Sequence, residues 1–315
     1  MRPKSNQKTG AVDVPVKVAL FVLFLALLWG GISVSIKVGL QQFAPFALAG
    51  LRYSIGLFVI ALWATSQGES LKPKADELLR LLLFGLLFTG QTTCLNWGTN
   101  LTHAGRSVVF VNTHPFFVAI VSHFIVPGDR LGRWKTVGLI VAFSGILIVF
   151  RDNLIGDTSG HLAGDLLTLL SGFQLGLLIT LTNRLVQSIH PYRLLTSQMA
   201  VGIPCFFILS AIFEGKVGYG FSNPALFAVL YQGAVVAGFC LVAWTLVLKY
   251  YPPSRVAVLF FTTPLWGIAL SYVLLKEPLT PGLGVGTPLV VLGIYLVNRF
   301  PVGVKRRENE KRGPV

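Results

Sequence analysis

Two cations sit where a hydrophobic run should exclude them. Lys37 and Arg52 are each embedded in a long apolar stretch. A charge at the centre of a membrane helix costs roughly 2.5–3.5 kcal/mol on insertion scales, which makes it a functional candidate by default. The chemistry on offer is attraction of an anionic group such as a carboxylate; the alternative is that Lys37 snorkels outward and Arg52 caps backbone carbonyls. Uncharged hydrogen-bonding groups interrupt other stretches: Gln91-Thr92-Thr93, Asn96 and Trp97, then Ser171 and Gln174, then Gln232, Trp244 and Thr245. Between helices such groups act as packing glue worth roughly 0.6 kcal/mol each. Lining a cavity, they orient a small polar solute. Gln91, Asn96 and Gln174 are the candidates taken forward. His114 stands beside Pro115 and titrates near neutrality when unperturbed, which would suit proton coupling; the alternative is a neutral ring bonded to a backbone carbonyl. Asp129, Asp165 and Glu277 all fall at the ends of stretches, so no central carboxylate supports that coupling.

Enzymatic readings find little material. The five histidines at 103, 114, 123, 161 and 190 give no His-x-x-x-His pair, and there is no H-E-x-x-H, G-x-S-x-G or P-loop. Cys94, Cys205 and Cys240 lie inside apolar stretches without paired spacing and read as small packing residues. No metal site and no cofactor is expected. A channel has no carbonyl-filter repeat to support it.

The elements that must position these residues are membrane helices. Hydrophobic residues make up 53% of the chain and charged residues 12%, about half of the roughly 25% charge usual in soluble domains. Ten apolar stretches are expected near 18–40, 44–66, 78–99, 104–126, 133–150, 162–185, 192–213, 225–250, 254–275 and 281–299. Each suffices to cross a bilayer core of about 30 Å, or nearly so. The net charge of +14 is not a nucleic-acid signature. With the N-terminus inside, 20 of the 26 Lys and Arg fall in cytoplasmic segments and four (Arg106, Arg151, Lys216, Lys276) in outer loops. That bias places both termini in the cytoplasm.

The second five stretches repeat the first five. Gly30 and Pro45 recur as Gly176 and Pro191, a shift of 146; Gly138 and Gly145 recur as Gly286 and Gly293, a shift of 148. Asp129-Arg130-Leu131 answers to Glu277-Pro278-Leu279, and Arg106 and Pro115 to Arg255 and Pro264. A duplicated unit with an odd number of helices enters the membrane from opposite sides, as in secondary transporters with a midplane site. The expected organisation is an N-terminal tail 1–17, a first repeat 18–150, a connection 151–161, a second repeat 162–300 and a C-terminal tail 301–315. Pro115 and Pro264, each preceded by polar residues, are expected to bend spans four and nine towards a shared cavity. The images of Lys37 and Arg52 are Asn183 and Gln198, so the cationic pair occurs once.

With Trp29-Gly30, Lys37, Pro45, Arg52, the two Pro-kinked helices and Glu277 with Leu279 in view, the chain resembles the drug/metabolite transporter superfamily, specifically its ten-helix EamA type. The resemblance runs over about residues 18–300. It implies two inverted five-helix repeats around a cavity lined by helices 1, 3, 4, 6, 8 and 9. It also implies movement of small metabolites, often amino acids or their relatives and commonly outward. Its cavity would include Trp29, Gln91, Asn96, His114, Gln174, Trp244 and Thr263, with gating at the Pro115 and Pro264 kinks. The expected partners are membrane lipid, a small metabolite and a coupling proton or ion, with no nucleic acid. The expected setting is the bacterial cytoplasmic membrane, as monomer or homodimer. Uptake or exchange of an organic anion or sugar derivative is the alternative within transport, and a membrane-embedded enzyme or a passive channel is the alternative from another class.

Overall fold

In the computed structural model of the chain, residues 14–102, 104–149, 151, 161–215, 222–275 and 282–299 are described. Both tails, His103, most of the Arg151–Gly164 connection, and the Lys276 and Glu277-Pro278-Leu279 positions lie outside them.

The first repeat comprises α1 (Val16–Gly39), α2 (Pro45–Ser66), α3 (Leu78–Leu101), α4 (Ala104–Val111), α5 (His114–Ile125) and α6 (Arg133–Val149). The second comprises α7 (Leu162–Leu185), α8 (Pro191–Phe213), α9 (Asn223–Leu230), α10 (Leu241–Tyr250), α11 (Pro253–Ala257), α12 (Thr263–Leu275) and α13 (Gly282–Arg299). Prolines begin several of these, at Pro45, Pro191, Pro224 and Pro253. In the first turn the missing N–H would have had no helical partner. The α2 amino end is finished by a distant side chain: Phe46 N and Ala47 N donate to the Glu214 carboxylate at 2.6 and 3.1 Å. At Gly128, φ of 83° closes the turn before α6, a conformation glycine adopts without steric cost.

Among the described residues these elements form ten helical spans, and three of them depart from the expected continuous helices. Span four is not one bent helix; it breaks at Asn112-Thr113 into α4 and α5. Span nine breaks similarly, running from α11 through a 3₁₀ turn, Val258–Thr262, into α12. Span eight, expected as a plain helix, contains a π-helical stretch, Tyr231–Cys240, between α9 and α10.

The duplication is visible in element bounds. Moving α1 by 146 residues gives the bounds of α7, Leu162–Leu185. Packing repeats as well. Spans five and ten meet through bare backbone: a Cβ on Gly138 would stand 2.7 Å from Gly293 O, and one on Gly145 2.6 Å from Gly286 O. Lower numbers facing higher ones make this seam antiparallel. Spans two and seven are antiparallel too, since the α2 amino end meets Glu214 beyond α8 while Trp63, near its other end, lies against Tyr192. Such pairs are what inversion of one repeat relative to the other demands. Across repeats, Gly30 is pressed on Trp266 of span nine, and its image Gly176 on Phe117, the image of Trp266, in span four. Gly85 against Val201 is matched by Gly233 against Ile55. Small residues at such seams let helices approach closely where lipid gives no hydrophobic drive for helices to associate.

Candidate functional site

The two breaks are built alike. Thr113 Oγ1 donates to Phe110 O at 2.6 Å, and Thr262 Oγ1, 149 positions on, donates to Leu259 O at 2.7 Å. Each proline lacks an N–H, so the carbonyl four residues earlier needs another donor. For Pro264 that carbonyl is Phe260 O, which accepts from Thr263 N. For Pro115 it is Val111 O, and His114 Nδ1 stands 3.1 Å from it. A carbonyl only accepts, so Nδ1 carries the proton in this arrangement. His114 is thereby a structural partner of the break, and the bond holds its ring inside the bundle, 6% exposed.

Four spans bring aromatic rings together around Phe260. Its ring centroid lies 4.6 Å from Trp244, 5.3 Å from Trp29 and 6.5 Å from His114, with edge-to-face inclinations between 65° and 69°. Trp29, Trp244 and His114, from spans one, eight and four, thus converge on span nine. Phe260 was missed in the sequence, where it reads as one more apolar residue; its position inside the break before Pro264 was the available signal.

A polar patch borders this cluster on spans three and six. Gln91 Nε2 donates to Ser171 Oγ at 2.9 Å, and Thr92 Oγ1 to Gln91 Oε1 at 3.4 Å. Gln174, one turn along, faces Gly90 and has a buried Oε1 without a partner. Leu175 beside it packs on the cluster containing Trp244 and Phe260, so span six joins the two groups. Thr263 Oγ1 and Thr93 Oγ1 are also buried and unpartnered. Asn96 does not join Gln91: five residues along a helix is roughly 140° around the axis. Its neighbour Trp97 belongs to another cluster, stacking on Phe46 at 5.6 Å.

The two cations fare differently. Lys37 lies two residues before the end of α1, and its side chain is outside the described part. Arg52 is 6% exposed. Its Nη2 donates to Tyr53 OH at 3.3 Å, its guanidinium lies 4.6 Å from the Tyr53 ring centroid, and its Nε has no partner. Two other cations, the buried Lys135 and the partly buried Arg193, pair with carboxylates. Lys135 Nζ donates to Asp129 Oδ1 at 2.7 Å, to Arg130 O and to Ser254 Oγ at 2.8 Å each. Ser254 in turn donates to Asp129 through both N and Oγ. This ties the turn before α6 to the start of span nine. Arg193 Nη1 holds both Glu77 oxygens at 2.8 and 2.9 Å. Burial alone would raise the Glu77 pKa, but the Lys74 N–H and Arg193 hold it below the usual carboxylate value.

The arrangement is an aromatic cluster flanked by amides and hydroxyls, between repeats of opposite sense. Comparison with known proteins agrees with it. The chain is 26% identical over 282 residues to the uncharacterized transporter YoaV of Bacillus subtilis, covering 89% of this chain and 96% of that protein. It is 28% identical over 315 residues to an Escherichia coli protein described as a probable amino-acid metabolite efflux pump, covering 94% and 99%. A protein solved by crystallography superposes with a TM-score of 0.79 at 17% identity, over 90% of this chain and 98% of that one, which shows a shared fold. The EamA-like transporter family model matches twice, over residues 16–151 and 162–299, once on each repeat, and the chain belongs to that family.

Proposed function

We propose that this transporter exports a small polar metabolite by alternating access, with the solute held between the repeats at the Trp29–Trp244–Phe260 cluster and the Gln91–Ser171–Gln174 patch. One observation carries the reading: the two broken spans lean, at equivalent points, on the first span of the opposite repeat, through Gly30 and Gly176. A two-fold-related pair of seams gives two arrangements of similar packing, one open to each side. The name borne by the Escherichia coli relative supports an amino acid or a related compound as cargo.

In this reading the Gln67–Glu77 connection and the turn before α6 face the cytoplasm. The Asp129–Lys135–Ser254 and Glu77–Arg193 contacts then close the cytoplasmic end. Both termini are cytoplasmic, and the protein performs no covalent chemistry. Counterflow in proteoliposomes tests it: saturable exchange of unmodified amino acids supports a carrier. Flux that does not saturate, or chemical change of the solute, refutes it.

A further inference from the structure

We propose that Arg52 and Gln232 form a subsite for the carboxylate of a solute that carries a hydrogen-bond donor on the adjacent carbon, a 2-amino or 2-hydroxy acid. The proposal rests on the carrier reading above and adds a site to it. Gln232 is 0% exposed, and neither its Nε2 nor its Oε1 has a partner. Burying an amide with both functions unmet is costly. It is the first turn of the π-helical stretch in span eight that carries this residue, and such stretches concentrate at functional sites. Arg52 lies on the facing helix, its carbonyl 3.0 Å from where a Cβ on Gly233 would stand. Gln232 Nε2 faces Gly39 at the end of α1, where Leu48, one turn before Arg52, also packs. The spare groups are the Gln232 amide N–H pair and oxygen, at this junction of α1, α2 and span eight, and the Arg52 Nε–H on the facing helix α2. The donors suit a carboxylate; the oxygen needs a donor from the same solute.

The inverted repeat supplies a control within the same molecule. The image of Gln232 is Phe84, in regular helix, and the images of Gly39 and Leu48 are Leu185 and Leu194. Phe84, Leu185 and Leu194 form one apolar cluster. The same packing position is therefore filled with hydrocarbon in one repeat and given an unpartnered amide and a glycine in the other. Arg52 likewise faces a neutral image, Gln198. The fold does not need polarity here, so its presence on one side only points to a ligand.

Thermal unfolding of the purified full-length protein tests this, using equimolar pools of L-amino acids, of their α-carboxamides and of the corresponding des-amino acids. The amino-acid pool should stabilise the wild type, the carboxamides at least tenfold less potently, and the des-amino acids with intermediate potency. Arg52→Gln should erase the difference between acids and carboxamides. Gln232→Met should raise the melting temperature of the ligand-free protein while weakening the protection by amino acids. The proposal is overturned by equal protection from carboxamides, by no protection from any pool, or by a Gln232→Met protein that melts lower and binds as the wild type does. The Gln232→Met arm needs no ligand, so it reports even where Arg52→Gln does not fold. Failure of the carrier reading shows elsewhere, as absent counterflow of a pool that does protect the wild type.

Discussion

Gly30→Ala and Gly176→Ala are a matched pair of perturbations at the seams that the proposed alternating access would open and shut. An alanine Cβ at position 30 would stand 2.7 Å from Trp266 Cβ and 3.0 Å from both Gly267 N and Thr263 O. At position 176 it would stand 2.6 Å from Phe117 Cβ and 3.0 Å from Val118 N. The obstacles are backbone, or the carbon next to it, so no side-chain rotation relieves them. Restoring ordinary carbon–carbon contact requires the helices to part by roughly 0.8 Å. Overpacking of this kind costs about 1–3 kcal/mol, or about 5- to 150-fold in an equilibrium. That cost falls only on the conformation in which the seam is closed. The two seams are images in inverted repeats, so the substitutions should displace the equilibrium in opposite directions. The assay is a cysteine at Thr93, with Cys94, Cys205 and Cys240 replaced, probed by an impermeant thiol reagent from each side. One variant should become more reactive from outside and the other from inside. Displacement in the same direction, or lower melting temperatures in both with unchanged reactivity, would show that the seams are static packing and remove the main support for rocking.

Four further outcomes are expected. Pro115→Ala and Pro264→Ala should each lower counterflow more than they lower the amount of inserted protein, measured by immunoblot of membranes. Asn100→Cys should be modified by an impermeant reagent from outside intact cells and Ser70→Cys should not; the reverse pattern would invert the topology. Arg52→Lys should retain part of the counterflow that Arg52→Gln loses, because charge survives without the planar fork of donors. Glu77, whose pKa is lowered in the folded protein, stabilises above its unfolded pKa of about 4.3, and that contribution disappears as pH falls through the lower folded value. Glu77→Gln should therefore flatten the acid limb of a melting-temperature profile and leave its neutral-to-alkaline shape alone.

Hydropathy and punctuation made most of the fold legible. The stretch expected at 162–185 is α7 to the residue, and that at 18–40 is α1 within two residues. Gly138, Gly145, Gly286 and Gly293 stood out as a repeated set because they line one seam, where any side chain would meet backbone. What composition does not encode is azimuth and partnership. Asn96 looked equivalent to Gln91 as a polar residue in the same span, but helical geometry turns it away. His114 offered two readings, a proton carrier or a neutral ring on a backbone carbonyl, and only the structure supplies the carbonyl freed by Pro115 beside its Nδ1. Phe260 was invisible because its importance lies in Trp29, Trp244 and His114, each distant in sequence. The π-helical stretch has no composition of its own, and with it the isolation of Gln232 was hidden.

Symmetry and its violations divide the labour in this molecule. Several contacts that set helix spacing recur: the Gly30 and Gly176 seams, the Gly85 and Gly233 seams, the Thr113 and Thr262 hydroxyl bonds at the breaks. Hydrogen-bonding capacity does not recur in the same way. Gln91 answers to Phe239, Gln174 to Leu28, Gln232 to Phe84 and Arg52 to Gln198. A perfectly symmetric pair of repeats would make the two end states equal in energy and would offer a solute the same surface from both sides. Matched seams keep the two states close enough to interconvert, since only a gap of a few kcal/mol leaves both populated. Unmatched polar groups let the solute interact differently in the two states, and only such a difference shifts an equilibrium. In the proposed carrier the repeated glycines would serve the motion and the unrepeated amides and cation the cargo. Substitutions in the first class should change the distribution between states with little change in solute selectivity, and substitutions in the second should do the reverse.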